Sequence, residues 1–385
     1  MIPKKNLCLY LPLLFFLMFS LSCFTACQRK SYDNDTELSF AFSGDFQIGY
    51  SAWQQTKEEN PSSTNIPQLR RNIKDIASVP NQLSFMVLLG DLVMNEVEDQ
   101  GETLKIQLDA WQQVVQAVPE YGLVPLLPFT GNHETNIYWT NLQVQAPSLY
   151  TFDVWEEWLM GNGYSGFAGN GPSPTEENPD RLARNETLLT YSFDVGNVHF
   201  VIINTDTLTT EINPDTNLPY AAWIPINWIT ADIEAAQQNQ AINTIIVMGH
   251  RVIEWPAYAD ANWNAGIINT KEYPFASRLS EIMRLNSKVK VYLCSHVHSW
   301  HAWRLEDGMG VWQIIAGNGG AECDSDWNPP GGPYFGFSLM DIQKSGKIIV
   351  RSFGRPVPSP PQKFYEDSPV APERAVLKEA VIIPD

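Results

Sequence analysis

Phe85-Met86-Val87-Leu88-Leu89-Gly90-Asp91 is an unbroken apolar run that stops at a glycine and a carboxylate. Continuous runs of this length suit strands buried on both faces of a sheet. The pattern recurs along the chain. Leu38-Ser39-Phe40-Ala41-Phe42 runs into Ser43-Gly44-Asp45, and Leu123 to Phe129 runs into Thr130-Gly131-Asn132-His133. Thr244 to Met248 runs into Gly249-His250, and Val289 to Cys294 runs into Ser295-His296. Helical spacing lies between them. Ile106, Trp111, Val114, Val115 and Val118 mark Leu104 to Val118; Trp228, Ile229, Ile233 and Ala236 mark Ile226 to Gln238. Strand alternating with helix predicts a layered α/β core. Two hairpins add antiparallel strands. One pairs Tyr191–Val195 with Val198–Ile203 around Gly196-Asn197; the other pairs Phe337–Ile342 with Lys347–Phe353 around Lys344-Ser345-Gly346.

Open α/β sheets bind ligands at the carboxyl ends of their strands. That rule gathers Asp45, Asp91, Asn132, His250, His296 and His298 along one edge. Three of the chain's six histidines belong to this set, and His133 adjoins it. Carboxylate, amide oxygen and imidazole together suit Mn, Fe or Zn.

With 44% hydrophobic residues over 385 positions, the chain can bury a large core. Its formal net charge of −18 repels nucleic-acid phosphates and anionic headgroups, so no nucleic-acid partner is expected. A small phosphorylated substrate stays compatible, because bound cations reverse the local field.

Lys4 and Lys5 precede an apolar run from Leu7 to about Leu21, the pattern of a secretory signal. Phe24-Thr25-Ala26-Cys27 is similar to a bacterial lipobox, with Phe24 where Leu is usual. Cys27 is therefore the expected lipidation site and Cys23 the second candidate. A plain signal peptide or an uncleaved anchor helix is the alternative. The expected organisation is a lipoprotein signal over 1–26, a flexible tether over 27–37, one domain over 38–354 and a Pro-rich tail over 355–385. Residues 136–185, rich in Gly, Pro, Asn and aromatics, read as an insertion beside the site rather than a second domain. Its tryptophans either pack or stack on a sugar or base. The expected location is exported, anchored to a membrane by lipid, facing the periplasm or cell surface. Cys294 and Cys323 either pair, as an exported compartment permits, or stay buried thiols.

The ordered blocks Asp45-Phe46-Gln47, Gly90-Asp91, Gly131-Asn132-His133-Glu134, Gly249-His250 and Ser295-His296-Val297-His298 resemble those of the calcineurin-like metallophosphoesterase superfamily, which includes purple acid phosphatases. The resemblance spans Phe40 to about Gly354. It implies a four-layer α/β/β/α sandwich holding two divalent or trivalent metal ions. Asp45, Asp91 and His298 would hold the first ion, Asp91 would bridge, and Asn132, His250 and His296 would hold the second. Metal-activated hydroxide would attack phosphorus. His133 would meet the phosphoryl oxygen or protonate the leaving group, and Glu134 would orient His133. Three departures stand out. Gln47 replaces a common histidine, and would ligate through its carbonyl oxygen or stand behind the first ion. Met94 replaces the tyrosine of purple acid phosphatases, so no purple centre is expected. Ser295 replaces a glycine.

The implied activity is hydrolysis of phosphate esters, on a small phosphorylated molecule or a phosphoprotein, as a phosphomonoesterase. A phosphodiesterase or nucleotide hydrolase is the alternative within the enzyme class. A non-catalytic surface lipoprotein binding a phosphorylated ligand is the alternative outside it. Arg251 would meet a substrate phosphate or pair with an Asp or Glu. His199 reads as a satisfied core histidine, and His301 as near the site or on the surface.

Overall fold

The computed structural model describes residues 35–49, 66–80, 82–95, 97–257, 267–269, 273–306, 310–357 and 375–384. The leader, Cys27 and most of the tether lie outside these residues. Among the described residues, no helix is long and apolar enough to cross a membrane.

The first sheet has six strands. Its centre is parallel: β1 (Thr36–Ser43), β2 (Met86–Leu88) and β3 (Leu126–Pro128) run side by side. The hairpin of β14 (Tyr334–Gln343) and β15 (Ile348–Pro356) pairs antiparallel with β1, and β16 (Val376–Ile383) closes the edge on β15. The second sheet also has six. The strands β7 (Val198–Ile203), β10 (Thr244–Gly249), β11 (Val289–Cys294) and β13 (Trp312–Ala316) are mutually parallel. Antiparallel β6 (Tyr191–Val195) and β12 (Trp300–Arg304) flank them.

Every central strand is apolar on both faces because both faces are covered. Phe40, Phe42, Val87, Leu89, Phe200, Ile246, Met248 and Leu293 interdigitate between the two sheets. The alternate residues Ala41, Met86 and Leu88 face helices α1 (Ile66–Ala77) and α2 (Glu102–Gln116) on the far side of the first sheet. The outer face of the second sheet buries Val201, Ile203, Ile245, Val247 and Tyr292 under α5 (Ile226–Gln238) and α6 (Phe275–Leu285). Helix, sheet, sheet, helix is the four-layer α/β/β/α sandwich implied by the sequence.

The segment 136–185 holds a hairpin, β4 (Asn136–Trp139) with β5 (Val144–Pro147), and helix α4 (Leu149–Gly161). Two of its three tryptophans are core: Trp158 lies edge-on to Trp111 of α2 at 5.8 Å, and Trp155 is 5.1 Å from Trp158, while Trp139 on β4 is half-buried. Asp180 then caps α5 across space, accepting the Asn227 and Trp228 amides at 2.7 and 3.0 Å. A small hairpin, β8 (Ile212–Asn213) with β9 (Leu218–Pro219), follows β7.

One expectation needs correction, and one alternative left open by the sequence is decided. The fold does not end at 354 with only a Pro-rich tail beyond it, because β15 extends to Pro356 and Val376–Ile383 adds an edge strand to it. Cys294 and Cys323 are both free. The first packs under the outer helices and the second against the inter-sheet core, on opposite faces of the second sheet.

Candidate metal centre

The carboxyl ends of β1, β2, β10 and β11, together with the loop after β3, converge as the chain's pattern predicts. At this edge the backbone is tightly bent. Asp45, Gln47, Asp91 and His296 all have positive φ, between 46° and 66°. A side chain held there costs about 1–2 kcal/mol, and such strain clusters where a site over-determines it. Gly90 (φ 85°) and Gly131 are required by close approach: a Cβ on Gly90 would press on Gly131 and the His250 ring, and one on Gly131 would collide with Asp91.

The side chains form two clusters that meet at Asp91. In one, Asp91, His250 and His296 offer ligand atoms within 4.8 Å of one another. Asn132 Oδ1 lies 3.1 Å from His250 Nε2, and His296 Nδ1 lies 3.1 Å from the same nitrogen. In the other, His298 Nε2 is 3.4 Å from Asp45 Oδ1 and 3.1 Å from Gln47 Nε2. Asp91 Oδ2 touches both, at 3.2 Å from His250 Nε2 and 3.3 Å from Gln47 Nε2. All of the sequence-derived ligand candidates are therefore in one place, Gln47 included.

Their far sides are already held. His250 Nδ1 meets the Leu89 carbonyl at 2.9 Å, with Ser295 Oγ also 2.9 Å away. His298 Nδ1 meets the Glu322 carbonyl at 2.8 Å. A carbonyl on Nδ1 fixes the tautomer and leaves a lone pair on Nε2. His250 Nε2 then faces Asp91 Oδ2, Asn132 Oδ1 and His296 Nδ1, and His298 Nε2 faces Asp45 Oδ1 and the Gln47 amide nitrogen, which also donates to Asp91 Oδ2. Asp45 Oδ1 is buried and has no hydrogen-bond partner. An edge rich in inward-facing N and O acceptors, one of them orphaned, fits a pair of cations.

The titration pattern agrees. Burial opposes the His250 imidazolium, but the Asp91 carboxylate outweighs it and raises the ring to about 9. Burial likewise opposes the Asp91 carboxylate, and the His250 and His133 charges still hold it far below the usual range. His296 is pushed well down by burial and by the Arg251 and His250 charges. The centre attracts positive charge without room for a proton on every ring.

Three other candidates fall as follows. His133 Nε2 is 3.7 Å from Asp91 Oδ2, and its Nδ1 meets the Asn95 carbonyl at 3.3 Å. Glu134 does not orient His133. Its carboxylate instead accepts the amides of Asp91 (2.9 Å), Val93 (3.1 Å) and Gly131 (2.7 Å), stitching two ligand-bearing loops together. Burial, with the nearby Asp91 charge, raises Glu134 to about 8. Arg251 is buried and gives Nε and Nη2 to Asp206 at 2.7 and 2.8 Å, so a substrate phosphate would have to compete with that carboxylate. The carbonyls of Leu89, Asn95 and Glu322 carry no sequence signal, because any residue supplies one. Asp206 had a signal: β7 also ends in a polar cluster, Asn204-Thr205-Asp206.

Residues 38–300 match the family model of calcineurin-like phosphoesterases. The chain belongs to that family and is a metal-dependent phosphoric ester hydrolase. No curated protein sequence matches it significantly. Among solved structures, a dimetal phosphatase from Danio rerio is 12% identical, covering 91% of this chain and 99% of that one, with a TM-score of 0.53. PhoD is 11% identical, covering 92% of this chain and 70% of that one, with a TM-score of 0.52. At these identities the likeness shows the fold alone.

Proposed function

We propose that this chain is an exported, lipid-anchored phosphomonoesterase acting on a small phosphorylated molecule or a phosphoprotein, with two Mn, Fe or Zn ions at the strand-end edge. The observation that carries the site is the convergence of carboxylate, amide and imidazole side chains around Asp91, with Asp45 Oδ1 buried and without a hydrogen-bond partner. Asp45, Gln47, His298 and Asp91 would hold one ion; Asn132, His250, His296 and Asp91 would hold the other. When bound, such a pair supplies Lewis acidity and lowers the pKa of water. Export and Cys27 lipidation are supported by the leader sequence alone.

The chain's own residues divide the remaining work. Asp91 joins the two clusters and receives the His133 amide at 3.0 Å, which fixes its carboxylate. The Asn95 carbonyl takes the Nδ1 side of His133, so Nε2 is the atom that would face the phosphoryl group. A water-derived oxygen adds to phosphorus, the ester P–O bond breaks, and a protonated His133 gives its Nε2 proton to the departing oxygen.

Hydrolysis of an aryl phosphate and a bis-aryl phosphate with added Mn, against a chelator control, tests this. The expected result is faster monoester turnover that is lost on chelation and in Asn132→Ala. Faster diester turnover would replace the monoesterase by a phosphodiesterase. Full metal loading with no ester hydrolysed would favour a binding lipoprotein.

A further inference from the structure

The strand β7 ends at the metal edge beside β10, yet it supplies none of the candidate ligands. Its end carries Asn204, Thr205 and Asp206, all buried. The bidentate Asp206–Arg251 pair is only part of what this carboxylate holds. Asp206 Oδ1 also accepts Asn136 Nδ2 at 2.9 Å and the Ala222 amide at 3.0 Å. Arg251 directly follows His250, and Asn136 ends the helical turn α3 (Asn132–Thr135) that begins at Asn132. One carboxylate thus grips the segments bearing two ligand candidates, and those segments come from different sheets. Asn204 adds a parallel tie: its Oδ1 accepts Thr130 Oγ1 and the Asp206 amide, each at 3.1 Å.

We infer that Asp206 is a positioning residue that sets the spacing of Asn132 against His250, and so the affinity of the second cation, without touching metal or substrate. This rests on the metal-centre reading above. Asn132 Oδ1 and His250 Nε2 stand 3.1 Å apart across an inter-sheet seam. Layers packed face to face can slide; a bidentate carboxylate–guanidinium pair fixes angle as well as distance. Groups standing behind metal ligands commonly change affinity about 10–100-fold.

The test is Mn titration by calorimetry of the 385-residue chain, with circular dichroism to establish folding. The variants are Asp206→Asn, Asn136→Ala and the double Asp206→Asn/Arg251→Gln. Wild type should bind two ions. Asp206→Asn should bind the first as wild type does and the second about 10–100-fold more weakly. Asp206→Asn alone strands a buried guanidinium and can unfold the chain; the double variant removes both charges. It should show the same selective loss, and Asn136→Ala a smaller one at the same site. Wild-type affinity at both sites in the folded double variant and in Asn136→Ala overturns the inference. So does equal weakening of both ions, which marks a general structural role. Failure of wild type to bind any Mn would instead sink the metal-centre reading itself.

Discussion

His199 sits on β7 and His250 just past the end of the neighbouring β10, both buried, and their ring nitrogens meet different sets of partners. His199 Nδ1 lies 2.6 Å from Asp194 and Nε2 lies 3.0 Å from Asp232. Each nitrogen has a carboxylate, so a protonated ring is complete. His250 gives Nδ1 to a carbonyl and turns Nε2 toward Asp91, Asn132 and His296. No single proton satisfies three acceptors. A histidine between two carboxylates is completed as an ion pair, whereas His250, raised by one carboxylate, also faces an amide oxygen and a second imidazole that a single proton leaves unmet. The same sheet shows both, at opposite ends of its strands.

The sharpest way to break this division is to remove the group that joins the two clusters. Asp91→Ala should lower turnover by at least about 10³-fold, because neither ion keeps its shared ligand. Calorimetric Mn stoichiometry should fall with it. His199→Gln should leave both within about twofold, since rotamers at the far end of β7 do not reach the edge. Loss of Mn binding in His199→Gln would erase the distinction. Next in size is His133→Gln, expected to cost about 10²–10³-fold in kcat with two ions still bound. The loss should be larger for alkyl than for nitroaryl esters, because only a poor leaving group needs the proton. An equal loss for both would remove His133 from leaving-group protonation.

Much of this edge is legible in the sequence. The apolar run ending in a polar residue is a local signal, and strand ends gather by topology, so Asp45, Asp91, Asn132, His250, His296 and His298 could be collected from spacing. Helix Ile226–Gln238 and strand Val289–Cys294 have the same bounds in sequence and structure. Other features were hidden for physical reasons. Ile66, Leu69, Ile73 and Ile76 line one face of α1, yet Pro67 and interleaved basic residues obscure that period. The last strand exists because β15 offers an open edge, a non-local cause that no window of sequence contains. Glu134 was assigned to its neighbour His133, but a carboxylate one turn into a helix reaches back more easily to backbone amides. Arg251 took the nearest buried carboxylate instead of remaining open to substrate.

A smaller effect sharpens the cation argument through stability. Mn at about 100 times its Kd should raise the unfolding free energy by about 2.7 kcal/mol over chelated protein. Thermal unfolding with and without Mn reads this, and Asp91→Ala should abolish it. No shift in wild type would mean that the acceptors are reconciled without metal.

The smallest prediction concerns the satisfied member of the pair. Burial opposes the charged His199 ring, but Asp232 and Asp194 outweigh it and raise its pKa above the usual value. A raised folded-state pKa adds stability that is fully present below the unfolded value, about 6.5, and fades as pH rises through the higher folded value. Asp194 is half exposed, so solvent screens its share, and about 1 kcal/mol is the expected total. The measurement is the difference in unfolding free energy between wild type and His199→Gln, in chelator. That difference should be larger at about pH 6 than at about pH 9. Subtracting the variant cancels the titration of the metal-edge histidines, which both proteins share. A flat difference across that range would mean that His199 is neutral between its carboxylates, and then proton sharing could not separate the two kinds of buried histidine.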